Sequence, residues 1–425
     1  MPKNNLYLDR YAWPNQLIES APDKNLGLII VIPCFNEKNL INSLLSISYC
    51  DLGKETVEVI IIINDAKNSD STIKKQNKKT YMETVSWAAQ HSTSQLRFHI
   101  HYCSNLPNKH AGVGLARKIG MDEAVRRFEV LDNHQNGIIS CFDADSLCER
   151  NYLTAIAAHF KNNPKTPASS IHFEHPITGE YDQKVYDGII KYELFLRYYI
   201  DALRFTNFPH AYQTIGSSMA VRSSVYQKQG GMNRRKAGED FYFLHKIIPL
   251  GNFTEITTTK VIPSPRPSDR VPFGTGRAIN QWLESDDHVY KTYHPRTFID
   301  LKVFIRRIDE LYTIDAKDTA VFLSTLPKSI SSFLESQDFN TNLMEIRKHC
   351  GNSLDAFQSR FFQWFNGFKI LKFTHDARDH FYNEIPVEEA CGWLLKEYFE
   401  VAAPPSATLN QLGMIRTFDR KGFGK

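Results

Sequence analysis

The sequence predicts an α/β protein: a mostly parallel sheet flanked by helices, followed by a C-terminal α-helical domain. Three observations carry that expectation. Apolar runs rich in Ile and Val alternate with helix-patterned stretches through the first half of the chain, as in strands buried on both faces and joined by helices. Acidic and amide residues gather just where those runs end. From about residue 300 the apolar residues fall at helical spacing instead. The expected boundaries are residues 1–298 for the α/β domain and 299–425 for the helical one.

The first run, "LGLIIVIP" (26–33), is continuous and β-branched, a strand covered on both sides. A helix follows from about Glu37, with Leu40, Ile41, Leu44, Leu45 and Ile47 near helical spacing. "VEVIIIIND" (57–65) makes a second strand, and "KKQNKK" (74–79) reads as the solvated face of the next helix. "LRFHIHYC" (96–103) is a third strand, "GVGLARKIGMDEAVRRF" (112–128) a helix, and "GIISCFDAD" (137–145) a fourth strand. In such sheets ligands bind at the carboxyl ends of the strands. Asn36 and Glu37, Asp65, and Asp143 and Asp145 each stand at such an end.

In the second half "LKVFIRRIDELY" carries Leu301, Phe304, Ile305, Ile308, Leu311 and Tyr312 along one helical face. "LDAFQSRFFQWFNGF" and "PVEEACGWLLKEYF" are also helical, the latter with Pro386 at its first turn. Phe357, Phe361, Phe362, Trp364, Phe365 and Phe368 are expected in a core, the alternative being a membrane or acceptor surface. The tail after Pro404 and Pro405 is expected to be loosely held.

Composition narrows the function. A net charge of only +4 over 425 residues argues against nucleic-acid binding, which needs a dense basic face. No apolar stretch approaches the roughly 18–20 residues of a transmembrane helix. The opening "MPKNNLYLDRYAWP" lacks the apolar core of a signal peptide. Seven cysteines, an odd number with no CxxC pair, read as reduced thiols in a cytoplasmic protein.

Four stretches carry chemistry. "DAD", with Asp143 and Asp145 aimed from one strand end, suits a hard divalent cation that completes its shell with water and phosphate oxygens. It is equally the composition of a surface turn. "GVGLAR" (112–117) fails the dinucleotide fingerprint because Arg117 takes the third small position, although a Gly-rich helix start still receives anions. In "RRKAGEDFYFLHKI", Glu239 and Asp240 open a helix, which their charge stabilises; a carboxylate there also suits a general base. "PSPRPSDRVPFGTGRA" (263–278) places Arg266, Arg270 and Arg277 in a long Pro/Gly-rich loop, either a phosphate-binding segment or a solvated connector. The histidines show no metal-ligand spacing, with His288 or His294 the candidates to complete a metal shell.

The order of "VIPCFNE", "IINDAKNSD", "AGVGLARKIGMDEA", "CFDADS" and "IGSSMAVRSSVYQKQGGMNRRKAGED" resembles glycosyltransferase family 2, of GT-A fold, over roughly residues 26–250. The resemblance implies that Pro33, Cys34, Asn36 and Glu37 form the first nucleotide-binding turn. Asp65 would face the nucleotide base, within "NDA" in place of the commoner "DDGS". Arg117 matches the arginine of the family's Ala-Arg-Asn helix, with Lys118 replacing the Asn, and the resemblance places it with Asp143 among the donor-binding residues. Asp143 and Asp145 would hold Mn²⁺ or Mg²⁺, Asp145 more directly. Gly216, Ser217 and Ser218 would shape the donor-sugar pocket, and Asp240, with Glu239 beside it, would be the base of an inverting enzyme. No Gln-x-x-Arg-Trp motif follows, which sets the chain apart from processive synthases.

The expected function is metal-dependent transfer of a sugar from a nucleotide-diphosphate sugar to an acceptor hydroxyl. The acceptor would be a glycan, a lipid-linked or a small molecule, with peripheral membrane contact left open. The alternatives are a retaining transferase of the same fold, a silent sugar-nucleotide-binding or scaffold protein, and a nucleotidyltransferase. The last would need a basic Gly-rich loop that "VIPCFNE" lacks.

Overall fold

The computed structural model describes residues 5–132, 134–270 and 274–422. Residues 271–273 of the arginine-bearing loop and the first four residues of the N-terminal stretch lie outside them. The chain forms two compact units, Met1–Gly179 with Thr214–Ala278, and Glu180–Gln213 with Ile279–Lys425.

The first unit opens with a short helix, α1 (Leu6–Arg10), and then builds one sheet. Its strands are β1 (Leu26–Cys34), β2 (Thr56–Ala66), β3 (Leu96–Leu106), β4 (Ile138–Cys141), β5 (Leu147–Cys148), β6 (Ala168–Phe173), β7 (Met219–Arg222) and β8 (Thr254–Ile262). They lie in the order β3-β2-β1-β4-β7-β6-β8-β5. The four strands read from the sequence, β1 to β4, run parallel, while β7 enters antiparallel to both β4 and β6. Ile29 to Ile32 and Val59 to Ile63 are fully buried, as two-sided cover requires.

Helices α2 (Leu40–Ser48), α3 (Ser71–His91), α4 (Val113–Glu129) and α5 (Tyr152–Asn162) follow within this unit. The first of them starts at Leu40 rather than Glu37, because Glu37 is folded into the turn before it and its Oε1 accepts the Asn39 N–H at 2.9 Å. The fourth strand stops at Cys141. Asp143 and Asp145 therefore lie in a turn beyond it, closed by the Ser146 N–H on the Asp143 carbonyl at 3.1 Å.

Helix α4 carries more buried charge than a plain amphipathic helix. Asp122, fully buried, accepts the Tyr7 hydroxyl at 2.6 Å, the Trp13 N–H at 2.7 Å and the Tyr226 hydroxyl at 2.7 Å, and pairs with Lys118 at 2.9 Å. Glu123 accepts the N–H groups of Leu17 and Ile18, each at 3.0 Å. The N-terminal arm is thus hydrogen-bonded along this helix.

The second unit is built around α6 (Gln183–Phe205), which packs against Val387–Glu397 and Thr408–Lys421. The expected long helix over 301–312 is broken into Pro295–Ile305 and Glu310–Thr313. Pro386 stands one place earlier than expected, capping Val387–Glu397. Phe361 and Phe365 are fully buried against Phe304, and Phe357 against Tyr312 and Phe361, while Phe362, Trp364 and Phe368 are half-buried, so the expected core takes in three of the six aromatics. The tail is a correction. Thr408–Lys421 is a helix with Gln411, Leu412 and Ile415 buried, and Asp419 pairs with the buried Arg197. Two prolines end one segment there, but an amphipathic helix resumes beyond them.

Candidate active site

The sheet topology places the site. Cys34 pairs with Ile63 and Val31 with Cys141, so β1, β2 and β4 end along one edge. Antiparallel β7 starts there too, Met219 facing Cys141, which brings Gly216–Ser218 beside the turn after β4. Leu147 pairs with Ile262, so the loop leaving β8 emerges next to Asp145. Helix α7 (Ser223–Lys228) and the short α8 (Glu239–Leu244) complete the surroundings.

Arg117 is the centre of the group. Its side chain, 2% exposed, donates from Nη2 to Asp143 Oδ1 at 2.7 Å and from Nη1 to Glu239 Oε1. Burial disfavours its charge, but Glu239 and then Asp143 outweigh that and hold it protonated. Two glycines permit the approach. A Cβ on Gly216 would lie 2.6 Å from Arg117 Nη1, and one on Gly114 would lie 2.2 Å from the Arg235 carbonyl, on the segment leading to Glu239. The small residues of "AGVGLAR" therefore serve side-chain and backbone packing.

Glu239 is buried, and burial, opposed by Arg117 and reinforced by Asp240, pushes its carboxyl up to about 7. Asp240 is also raised by burial; against this work Arg117 and the N–H groups of Phe241 and Gly216, the Phe241 N–H lying 2.7 Å from Oδ1. Ser217 and Ser218 are buried with their hydroxyls 3.4 Å apart, and the Ser218 carbonyl accepts the Ile171 N–H at 2.8 Å.

A second acid–arginine group lies at the ends of β1 and β8. Asp145 Oδ2 accepts from Arg266 Nη2 and from Arg270 Nη2, each at 3.0 Å. Glu37 receives both arginines as well, at 3.1 Å from Arg266 Nη1 and 3.1 Å from Arg270 Nη1. Burial opposes the charge on Glu37, yet Arg266, the Asn39 N–H and Arg270 together hold its carboxyl below the ordinary range. Burial raises that of Asp145, with Arg270 pulling the other way. Arg277 does not join them; it pairs with Asp269 at 2.8 Å.

Pro33 and Cys34 end β1, and burial pushes the Cys34 thiol far up, which leaves it no nucleophile. Asn36 adopts a left-handed conformation (φ 48°), and its N–H donates to Asn77 Oδ1 at 2.8 Å. Asn77 in turn donates to the Asn64 carbonyl at 3.0 Å. Asp65 is fully buried, accepting the Tyr102 hydroxyl and, at 3.0 Å, the Asn105 N–H. Asn77 and Tyr102 were not singled out from the sequence: one hides within "KKQNKK", the other within a strand run, and neither leaves a periodic signal. His288 and His294 belong to the second unit, where His288 lies on the Trp282 ring and His294 caps a helix through the Arg296 N–H. Among the described residues no group of three or more His, Cys, Asp or Glu side chains is arranged to hold a metal ion.

No family model matches the chain, and no curated protein does. Among solved structures it is similar to TarS 1–349 of S. aureus, with 12% identity over 93% of this chain and 92% of that one and a TM-score of 0.37. The complex of the same fragment with UDP-GlcNAc gives 14% identity over 93% and 92%, with a TM-score of 0.38. Similarity at this level assigns no activity.

Proposed function

We propose that the strand-end cluster is the active site of a glycosyltransferase that takes a nucleotide-diphosphate sugar and passes the sugar to an acceptor hydroxyl with inversion. One observation carries the reading. Buried Arg117 bonds at once to Asp143 after β4 and to Glu239 at the start of α8, uniting acids far apart in sequence in one group. The order of motifs that resembles glycosyltransferase family 2 supports the same assignment.

Charge balance, and not a preformed ligand cluster, is what favours a hard divalent cation here. Glu37, Asp143, Asp145, Glu239 and Asp240 are five carboxylates against the three guanidinium groups of Arg117, Arg266 and Arg270, so full ionisation leaves an excess of negative charge. Asp145, with Asp143 beside it, would hold Mn²⁺ or Mg²⁺, which supplies charge neutralisation for the pyrophosphate.

The remaining roles belong to the chain itself. Asp240 takes the proton from the acceptor hydroxyl. Its oxygen then bonds to the anomeric carbon while the bond from that carbon to the nucleotide diphosphate breaks. A carboxyl raised by burial is a better proton acceptor than an ordinary one. Glu239, held by Arg117, orients its neighbour. Pro33, Cys34, Asn36 and Glu37 bound the nucleotide, Asp65 and Tyr102 form the wall on the base side, and Gly216, Ser217 and Ser218 line the sugar side. Arg266 and Arg270 supply guanidinium forks for phosphate oxygens.

A second reading rests on the same two arginines. Because both already sit on Asp145, they suit a metal-independent transferase in which guanidinium groups alone neutralise the pyrophosphate. Titration of UDP and GDP in Mn²⁺ and in EDTA separates the two. Affinity lost in EDTA supports the metal, and unchanged affinity supports the arginines. For the base, Asp240→Asn is expected to slow single-turnover transfer by about 10²–10⁴-fold with donor affinity kept. Near-normal turnover would overturn inversion and bring the retaining alternative forward.

A further inference from the structure

We infer that Cys50 and Cys148 form an oxidisable dithiol, a disulfide-forming site at the back of the turn that carries Asp145. The inference stands on the thiols' own geometry and does not depend on what the strand-end cluster binds. Cys50 follows the C-terminal end of α2, and Cys148 is the second residue of β5. Both are thiols here, 98 positions apart in sequence and 3.6 Å apart between sulfurs.

The backbone around them is already set. On one side the Cys148 N–H donates to Ser46 Oγ at 2.8 Å; on the other the Asp51 N–H donates to the Arg150 carbonyl at 2.8 Å. The two segments are therefore clamped together on both sides of the sulfur pair. A bond requires the sulfurs to approach from 3.6 Å to about 2.05 Å within that frame.

The pair is also chemically unequal. A hydrogen bond from Cys148 favours the Cys50 thiolate over the opposing effect of burial, while the same bond, burial and the Cys50 charge push Cys148 up. Dimedone trapping in the two serine variants separates attack by Cys148 from attack by Cys50, the sulfur taken here as nucleophile. With hydrogen peroxide as oxidant, the Cys50 thiolate attacks one peroxide oxygen, the O–O bond breaks and hydroxide leaves, giving a sulfenic acid. The Cys148 sulfur then bonds to the Cys50 sulfur and displaces hydroxide, its own proton ending in water. Two thiols lose two electrons in all, and one peroxide becomes two waters. The other buried thiols offer a contrast, since burial raises Cys34, Cys141 and Cys391 and leaves them protonated.

The bond would tie α2 to a strand that starts two residues after Asp145 and pairs with the end of β8, just before the segment bearing Arg266 and Arg270. The test treats the full-length protein with hydrogen peroxide, followed by non-reducing peptide mass spectrometry and thiol counting. One intramolecular Cys50–Cys148 peptide pair is expected, with two thiols lost per chain and recovered by dithiothreitol. Cys50→Ser and Cys148→Ser should each abolish it, and Cys148→Ser should leave a sulfenic acid at Cys50 that dimedone traps. Circular dichroism checks that both variants are folded. Oxidation that spares Cys50 and Cys148 while consuming other thiols, or that links them only between chains, overturns the inference.

Discussion

The two units each bury a network of carboxylates and arginines, and the networks differ in balance. In the second unit Glu193 and Arg197 are sealed, and Arg416 and Asp419 join them from the C-terminal helix. Arg204 adds pairs to Asp201 at 2.9 Å and to Asp419 at 3.5 Å, so each carboxylate there has a guanidinium. In the first unit the network lies at strand ends, where side chains of Asp143, Asp145, Arg266 and Arg270 remain 25–39% exposed and acids outnumber arginines. Burial of charge alone therefore does not mark a binding site. A matched, closed network holds helices together, whereas an unmatched one facing solvent has charge left for a ligand.

The comparison breaks most sharply at Arg197. Arg197→Met leaves Glu193 with Arg416 and Asp419 with Arg204, so the loss should fall below the roughly 3–5 kcal/mol of a buried charge left wholly unpaired. Chemical denaturation should show that loss; a variant as stable as the wild type would mean that the second network is not structural. Asp145→Ala should do the reverse. It leaves the melting temperature nearly unchanged, because its carboxylate is partly exposed and already raised by burial, and it abolishes Mn²⁺-dependent UDP or GDP binding in isothermal titration. Full affinity in that variant would remove Asp145 from the donor site.

The smallest expected effect is a pH dependence. The folded protein holds Glu239 near 7, above the ordinary carboxyl value of 4.5, so it binds this proton more tightly than the unfolded chain does. That contribution to stability is fully present below 4.5 and is lost as pH rises through 7. Melting curves of the wild type measured against Glu239→Gln should show it as a relative loss of stability over that window. Parallel curves would place the carboxyl at its ordinary value.

The parts of this arrangement that were legible in the sequence share one cause. Buried parallel strands must be apolar on both faces, so β1, β2 and β4 stand out as Ile/Val runs, and the acids after them mark the carboxyl edge of the sheet. The order of the motifs pointed to Arg117, Asp143 and Glu239, which the fold joins. What escaped is held by single hydrogen bonds between distant segments. Asn77 reaches Asn36 across 41 positions and Tyr102 reaches Asp65 across 37, and neither contact alters a local pattern. The helix Thr408–Lys421 escaped because the prolines before it read as the end of ordered structure, while its contacts, Arg416 on Glu193, Asp419 on Arg197 and Phe418 on Phe399, are with distant or preceding segments.

The N-terminal arm has a practical consequence for anyone shortening the chain. Starting a recombinant fragment at Leu26, the first residue of β1, looks harmless on a map of secondary structure. It would strip Asp122 of the Tyr7 hydroxyl and the Trp13 amide, and Glu123 of both its amide donors, along the same helix that presents Arg117. Asp122 would keep the Tyr226 hydroxyl and Lys118, but Glu123 would have to draw water into the helix–sheet interior or take up a proton. The trimmed protein would disturb the Arg117 cluster from behind, and any loss of function in it would be misread as a direct role for the arm.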